Sequence, residues 1–153
     1  MHFPFNKPDV ITGLLPPSVL RDLEKALHVE EGTVLDIACN RHLRYYAARL
    51  KSGAAVEHCV AEETTLRQVF LSEAYLTAQK QHPDLIHPIS ALGVIAEDDD
   101  TERSDVISRF FAPWLGVLED PVTGSWCTVF VPNWLQAHDR LTVGSQLRSY
   151  QAS

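Results

Sequence analysis

The sequence predicts an α+β fold, a curved and mostly antiparallel sheet wrapped around one buried helix, and three observations predict it. Short apolar runs separated by Asn, Ser and Gly turns recur between residues 33 and 111, helical spacing recurs at 18–27 and 62–71, and Ser125–Leu135 is apolar on nearly every side. Apolar runs broken by turn residues read as strands, while a helix without a polar face has to be surrounded by protein.

Pro16-Pro17 is a helix-start signal, and Ser18–Leu27 then places Leu20, Leu23 and Leu27 on one helical face. Residues 33–60 hold three apolar stretches, Val34–Ala38, Leu43–Leu50 and Ala54–Val60, divided by turns at Asn40-Arg41 and Ser52-Gly53. They read as a meander of strands, the alanine-containing middle stretch being the one open to a helical reading. Glu62–Leu71 is helical in spacing, with Leu66, Val69 and Phe70 on one side and its acids near the N-terminus, where the helix dipole favours them. The polar residues 72–84 read as a loop or insertion. Ile89–Ala96 and Asp105–Phe111 form a hairpin with an acidic tip, Glu97–Glu102. In Ser125–Leu135, Pro132 costs about 3 kcal/mol in a regular helix interior, which predicts a kink or an early end.

Composition narrows the function. A chain of 153 residues, 45% of them hydrophobic, buries roughly 70% of its unfolded surface, so one domain spanning 1–153 is expected without disulfides or a structural metal. The net charge of -7, from 20 acidic and 13 basic residues, repels polyanions, so no nucleic-acid partner is expected. Cys39, Cys59 and Cys127 are odd in number, widely spaced and without a CxxC, which suggests neither a disulfide framework nor a zinc site. The stretch Met1–Pro8 lacks a signal-peptide layout and no apolar run approaches membrane-spanning length, so a soluble, cytoplasmic chain with no membrane partner is expected. His28, His42, His58, His82, His87 and His138 lack ligand spacing, so no metal is assigned to them. Asp98, Asp100 and Glu102 alternate as calcium ligands do, but the loop glycine is missing and Arg109 stands where the last glutamate belongs; a solvated acidic turn is the expectation.

Chemistry concentrates in Arg109–Ser125, which runs from a strand through a Pro/Gly-marked acidic turn into the start of the apolar helix. Ser125 reads as the N-cap, and Gly124 lets a ligand approach the backbone closely. Unpaired N–H groups at a helix start bind carboxylates or phosphates, and Asp120 and Ser125 add a carboxylate and a hydroxyl beside the same spot. Such a group orients an anionic substrate and assists proton movement. The alternative is that Asp120 and Ser125 only cap the helix and steady the turn, contributing about 1 kcal/mol each.

Ser108-Arg109-Phe110-Phe111-Ala112-Pro113 followed by Glu119-Asp120-Pro121-Val122-Thr123-Gly124-Ser125 resembles the signature of the PhzF family of phenazine-biosynthesis isomerases, which includes dihydro-hydroxyanthranilate isomerase. Pro132-Asn133-Trp134 resembles the family's Pro-Tyr-Trp, Phe3-Pro4 the strand that opens its second domain, and Gln151-Ala152-Ser153 its closing strand. The resemblance implies the C-terminal half of a diaminopimelate-epimerase-like fold, in which two similar domains each wrap a sheet around a central helix and the active site lies where the two helix N-termini meet. It implies cofactor-independent proton transfer at carbon on a small carboxylate-bearing substrate. Asp120 and Ser125 match catalytic positions and Gly124 a substrate-contacting one, with Thr123 and Cys127 beside it as substrate-binding positions. The family's glutamate acid/base and an accompanying histidine lie in a first domain that this chain does not match. The implied partner is therefore a second copy or a separate first-half chain, and the alternative is a non-catalytic remnant or interaction module of the same fold.

The departures are specific. Glu62-Glu63-Thr64-Thr65 looks like the missing glutamate motif but falls at a second-domain helix, and reads as a solvated helix start. The family's Ser-Ala-His is Ser125-Trp126-Cys127 here. A thiol two residues past a cap gains thiolate character from the helix dipole and is a candidate acid/base, its alternative being a small buried apolar residue.

Overall fold

Alternation along the strands sorts apolar side chains onto two faces of one sheet, and both faces are covered. The computed structural model describes residues 7–138 and 146–153. Its strands are β1 (Asp9–Val10), β2 (Val34–Cys39), β3 (Tyr45–Leu50), β4 (Ala91–Glu97), β5 (Val106–Ala112), β6 (Val117–Glu119) and β7 (Ser149–Gln151). They form an open sheet in the order β1-β2-β3-β4-β5-β6, with β7 also paired to β5. All pairings are antiparallel except β3–β4 and β5–β7. The helices are α1 (Pro17–Ala26), α2 (Gly53–His58), α3 (Glu63–Val69), α4 (Glu73–Gln81) and α5 (Gly124–Ala137). The fold is α+β, as the sequence predicts.

Ile37, Tyr46, Ala48, Leu92, Val94, Ile107 and Phe111 point to a core shared with α1 to α4. Ala47, Ala91, Ile95, Val106 and Phe110 point the other way, onto Trp126, Val129, Phe130 and Trp134 of α5. A central strand buried on both faces reads as a continuous apolar run, which is how Ala91–Ala96 reads.

Two sequence expectations fail in the connection from β3 to β4. Ala54–Val60 is not a third strand: α2 occupies Gly53–His58, with the Ser52 hydroxyl accepting from Ala55 N–H at 3.2 Å and Val56 buried. Residues 72–84 are not a loop: α4 starts where the Ser72 hydroxyl accepts from Tyr75 N–H, and it buries Tyr75 and Ala78 three residues apart. Both corrections share a cause. Parallel β3 and β4 require the chain to cross back over the sheet, and crossovers are usually helical.

The β4–β5 hairpin pairs Leu92 with Phe111 through Glu97 with Val106, as expected. Its tip is not simply a solvated turn. The Asp98 side chain is wholly buried, and Arg103 donates to both of its oxygens at 2.8 and 2.9 Å. Asp100 N–H and the Ser104 hydroxyl complete the set.

Helix α5 does not end early at Pro132 but runs to Ala137. Burial of Trp126, Val129, Phe130 and Trp134, at about 1.5–3 kcal/mol for each large side chain, outweighs the roughly 3 kcal/mol that an interior proline costs. Gly93 makes that packing geometrically possible, because a Cβ there would lie 2.1 Å from the Trp126 ring. The opposite face of α5 is less covered, with Cys127 exposed and Thr128, Val131 and Leu135 half-buried. The closing strand is ordered as β7, and Ala152 N–H bonds Ser108 C=O at 2.9 Å. The expected opening strand at Phe3-Pro4 lies outside the described residues.

Candidate functional site

The approach to α5 is built from β5 outward. After Ala112 a single 3-10 turn, Pro113–Leu115, ends at Gly116, whose φ of +82° suits glycine alone without strain. The chain then doubles back as β6. Arg109 pins this return with a bidentate pair to Glu119, at 2.7 and 2.8 Å, while also donating to the carbonyl of Cys59, the residue that caps the end of α2.

Asp120 is the last residue before α5 whose main chain bonds the main chain of the sheet, its N–H reaching Phe110 C=O at 3.0 Å. One carboxylate oxygen, Oδ1, accepts from Val122 N–H at 3.2 Å, an Asx-type turn. No donor reaches Oδ2 among the described residues, so the carboxylate is only partly used by the chain itself.

The helix does not begin as the sequence predicts. Thr123, not Ser125, is the N-cap, and its side chain makes no cap bond. Its Oγ1 is buried without a partner among the described residues. Ser125 lies one residue inside the helix, where its hydroxyl is 3.1 Å from the Tyr45 hydroxyl. The main-chain N–H groups of Gly124 and Ser125 make no hydrogen bond among the described residues. Orphan donors of this kind at a helix start attract anions. Gly124 is exposed, and a Cβ added there would meet nothing within 4 Å, so the chain's own packing does not demand glycine.

The structure thus brings Asp120, Thr123, Gly124 and Ser125 to one turn, with Cys127 on the exposed side of α5's first turn. Cys127 departs from both readings, being exposed rather than a small buried apolar residue and not a thiol of lowered pKa. Desolvation by the surrounding protein raises its thiol pKa, the opposite of the lowering expected from the helix dipole. Tyr45 is a member of the site that sequence reasoning missed. It reaches Ser125 from β3, 80 residues away, and packs edge-on against Phe110 with ring centres 5.0 Å apart.

The surroundings of this turn are open and apolar. Leu115, Val117, Leu118 and Val122 are exposed, Val122 by 82%. Among the described residues, cavities open away from this turn: between α1 and α3 at Asp22, Lys25 and Gln68; beside Arg49, Trp134 and His138; and along Pro17, Arg21 and Glu31. Asp120, Gly124 and Ser125 line none of these. Glu63 is a solvated helix start paired with Arg67 at 2.9 Å. Among the described residues no His, Cys, Asp and Glu cluster is arranged to hold a metal ion, and no helix is long and apolar enough to cross a membrane.

The family model described as "Phenazine biosynthesis-like protein", PhzC-PhzF, matches residues 33–153. An uncharacterized isomerase of Pseudomonas aeruginosa is 48% identical over 44 residues, 29% of this chain and 17% of that protein. A phenazine biosynthesis-like domain-containing protein of Rattus norvegicus is 47% identical over 53 residues, 35% of this chain and 17% of that one. Among solved structures, a PhzF-family phenazine biosynthesis protein of Enterococcus faecalis superposes with a TM-score of 0.67 at 23% identity, over 99% of this chain and 44% of that one. The likeness is one of fold, and the chain spans less than half the length of that solved relative.

Proposed function

The chain belongs to the PhzC-PhzF phenazine biosynthesis-like family, and from that premise we propose that it is an isomerase- or epimerase-type domain moving a proton at carbon on a small carboxylate-bearing substrate, without a cofactor. The observation that carries the proposal is the start of α5. There the Gly124 and Ser125 N–H groups are unpaired, the Asp120 carboxylate is half-used, and the Ser125 hydroxyl is bonded only to another hydroxyl. In this reading Gly124 and Thr123 frame the anionic group of the substrate, Ser125 and Tyr45 orient it, and Asp120 takes or returns the proton. A positioned acid/base contributes about 10²- to 10⁴-fold in rate.

One carboxylate does not complete the chemistry, because the proton has to be removed and replaced with direction. The site is therefore finished by a second surface, from a second copy of this chain or from a glutamate-bearing first half, docked on the apolar rim of Leu115, Val117, Leu118 and Val122. The cytoplasm is the compartment that three unpaired cysteines suit.

The test is solvent-deuterium incorporation, in D2O, into a panel of small carboxylates with an acidic C–H, a dihydro-hydroxyanthranilate among them. The chain is assayed alone over a concentration series and mixed with a first-half chain. Incorporation that requires the second surface and disappears in Asp120→Asn supports the proposal, and no incorporation under either condition removes it. The exposed rim also favours a second reading, a non-catalytic interaction module. That reading predicts tight association with a partner chain, unaffected by Asp120→Asn and abolished by Val122→Lys.

A further inference from the structure

Gln151, the last residue of β7, has a side-chain amide that is satisfied twice by one turn of main chain. Its Nε2 donates to Asp120 C=O, and its Oε1 accepts from Thr123 N–H at 3.1 Å. The two bonds bracket residues 120–123, the four residues that set where the Asp120 carboxylate points and where α5 begins. The Thr123 side chain makes no cap bond, so a distant side chain takes up the donor at the N-cap while Gly124 and Ser125 keep theirs free.

β7 is itself held independently of this contact. Arg148 donates to Asp105 and to the carbonyls of Thr101 and Glu102, Arg103 stacks over the Tyr150 ring at 4.5 Å, and Ala152 N–H bonds Ser108 C=O. The strand therefore presents Gln151 from a fixed base. An amide is a fitting group for the task, since it offers a donor and an acceptor side by side on separate atoms without charge.

We propose that Gln151 is a positioning residue for the site, the clamp that fixes the Asp120–Thr123 turn and directs the free N–H groups of α5 outward. The role rests on the reading of this turn as the reactive site, but its test does not depend on activity.

The experiment is residue-resolved amide hydrogen exchange on the whole chain, comparing wild type with Gln151→Glu and Gln151→Leu. The glutamate retains an acceptor for Thr123 N–H and loses the donor to Asp120; the leucine loses both. The expected result is Thr123 exchanging at least tenfold faster in Gln151→Leu and near the wild-type rate in Gln151→Glu, with Ala152 protected in both variants. Where deuterium incorporation into a substrate is measurable, both variants should lower kcat more than they raise KM. Equal Thr123 rates in all three chains would overturn the clamp. So would loss of Ala152 protection in Gln151→Leu together with Thr123, because Gln151 would then serve only to dock β7. Failure of Asp120→Asn to alter incorporation sinks the proposed reaction and leaves the amide result to be judged alone.

Discussion

The Tyr45 hydroxyl lies 3.1 Å from the Ser125 hydroxyl, joining the second residue of α5 to the first residue of β3. Two strand-borne side chains thus hold the start of one helix, Tyr45 from β3 and Gln151 from β7. A first-turn hydroxyl held this way keeps its orientation when a ligand arrives, which lowers the cost of ordering it at that moment.

Tyr45→Phe removes the bond and keeps the packing on Phe110. The bond is exposed, so the stability change should be about 1 kcal/mol or less in urea unfolding. In the deuterium assay Tyr45→Phe and Ser125→Ala should be non-additive, the double variant incorporating about as slowly as Ser125→Ala. Independent, multiplying effects would show that the two hydroxyls do not act together.

Gly93→Ala should destabilise the chain by about 3 kcal/mol, the upper end for overpacking, since the added methyl meets the fully buried Trp126 ring from a central strand. Trp126→Phe in the same chain should recover part of that loss, because the atoms in conflict belong to the indole's outer ring. Thermal unfolding of the two single variants and the double measures the coupling. A purely additive double variant would place the strain elsewhere.

Asp98 should govern the acid limb of stability. Arg103, ahead of Ser104 and Asp100 N–H, holds its carboxyl well below the ordinary Asp value. A folded-state pKa below the unfolded one stabilises the fold fully above the unfolded value, about 3.9, and that contribution is lost as the pH falls through it towards the folded pKa. Urea midpoints from pH 7 to pH 2.5 should therefore fall below about pH 4 in the wild type. Asp98→Asn should be less stable at pH 7 and decline less steeply, and parallel curves would assign the acid limb to other groups.

The cysteines should rank by access and by burial. Cys127 is exposed, while Cys39 and Cys59 are buried; burial raises both of the latter thiols, that of Cys59 to about 11 despite the opposing pull of Arg109. Iodoacetamide should modify Cys127 alone in the folded chain, with a pH–rate midpoint above the roughly 8.5 of a free thiol. A midpoint below 7 would restore Cys127 as an acid/base.

The elements with strong local signals were legible. α1 after its double proline, α3 with Leu66 and Val69 on one face, and the β4–β5 hairpin all appear within a few residues of where the spacing puts them. What failed depended on long-range pairing. Ala54–Val60 has strand-like content, yet parallel pairing of β3 with β4 needs a helical crossover there. The two buried residues of α4, Tyr75 and Ala78, are hidden among Glu, Thr, Gln and Lys, so its periodicity is too weak to read. The candidate site is legible only as a segment: Asp120, Thr123, Gly124 and Ser125 share one turn. Its supports were not, because Tyr45 and Gln151 are 80 and 28 residues from their partners and no spacing rule connects them. The cap was misassigned by two residues because Ser is the stronger N-cap by preference, whereas packing of Trp126 against Gly93 fixes where the helix begins.

In the proposed reaction the Asp120 carboxylate at the mouth of α5 exchanges a substrate proton once a second surface covers it. The most direct measurement follows deuterium from D2O into the carboxylate panel by mass spectrometry, with wild type and Asp120→Asn each saturated with a first-half chain. The wild type should incorporate deuterium and Asp120→Asn should do so at least a hundredfold more slowly, at unchanged affinity for the first half. Equal incorporation by the two chains would contradict the proposed reaction.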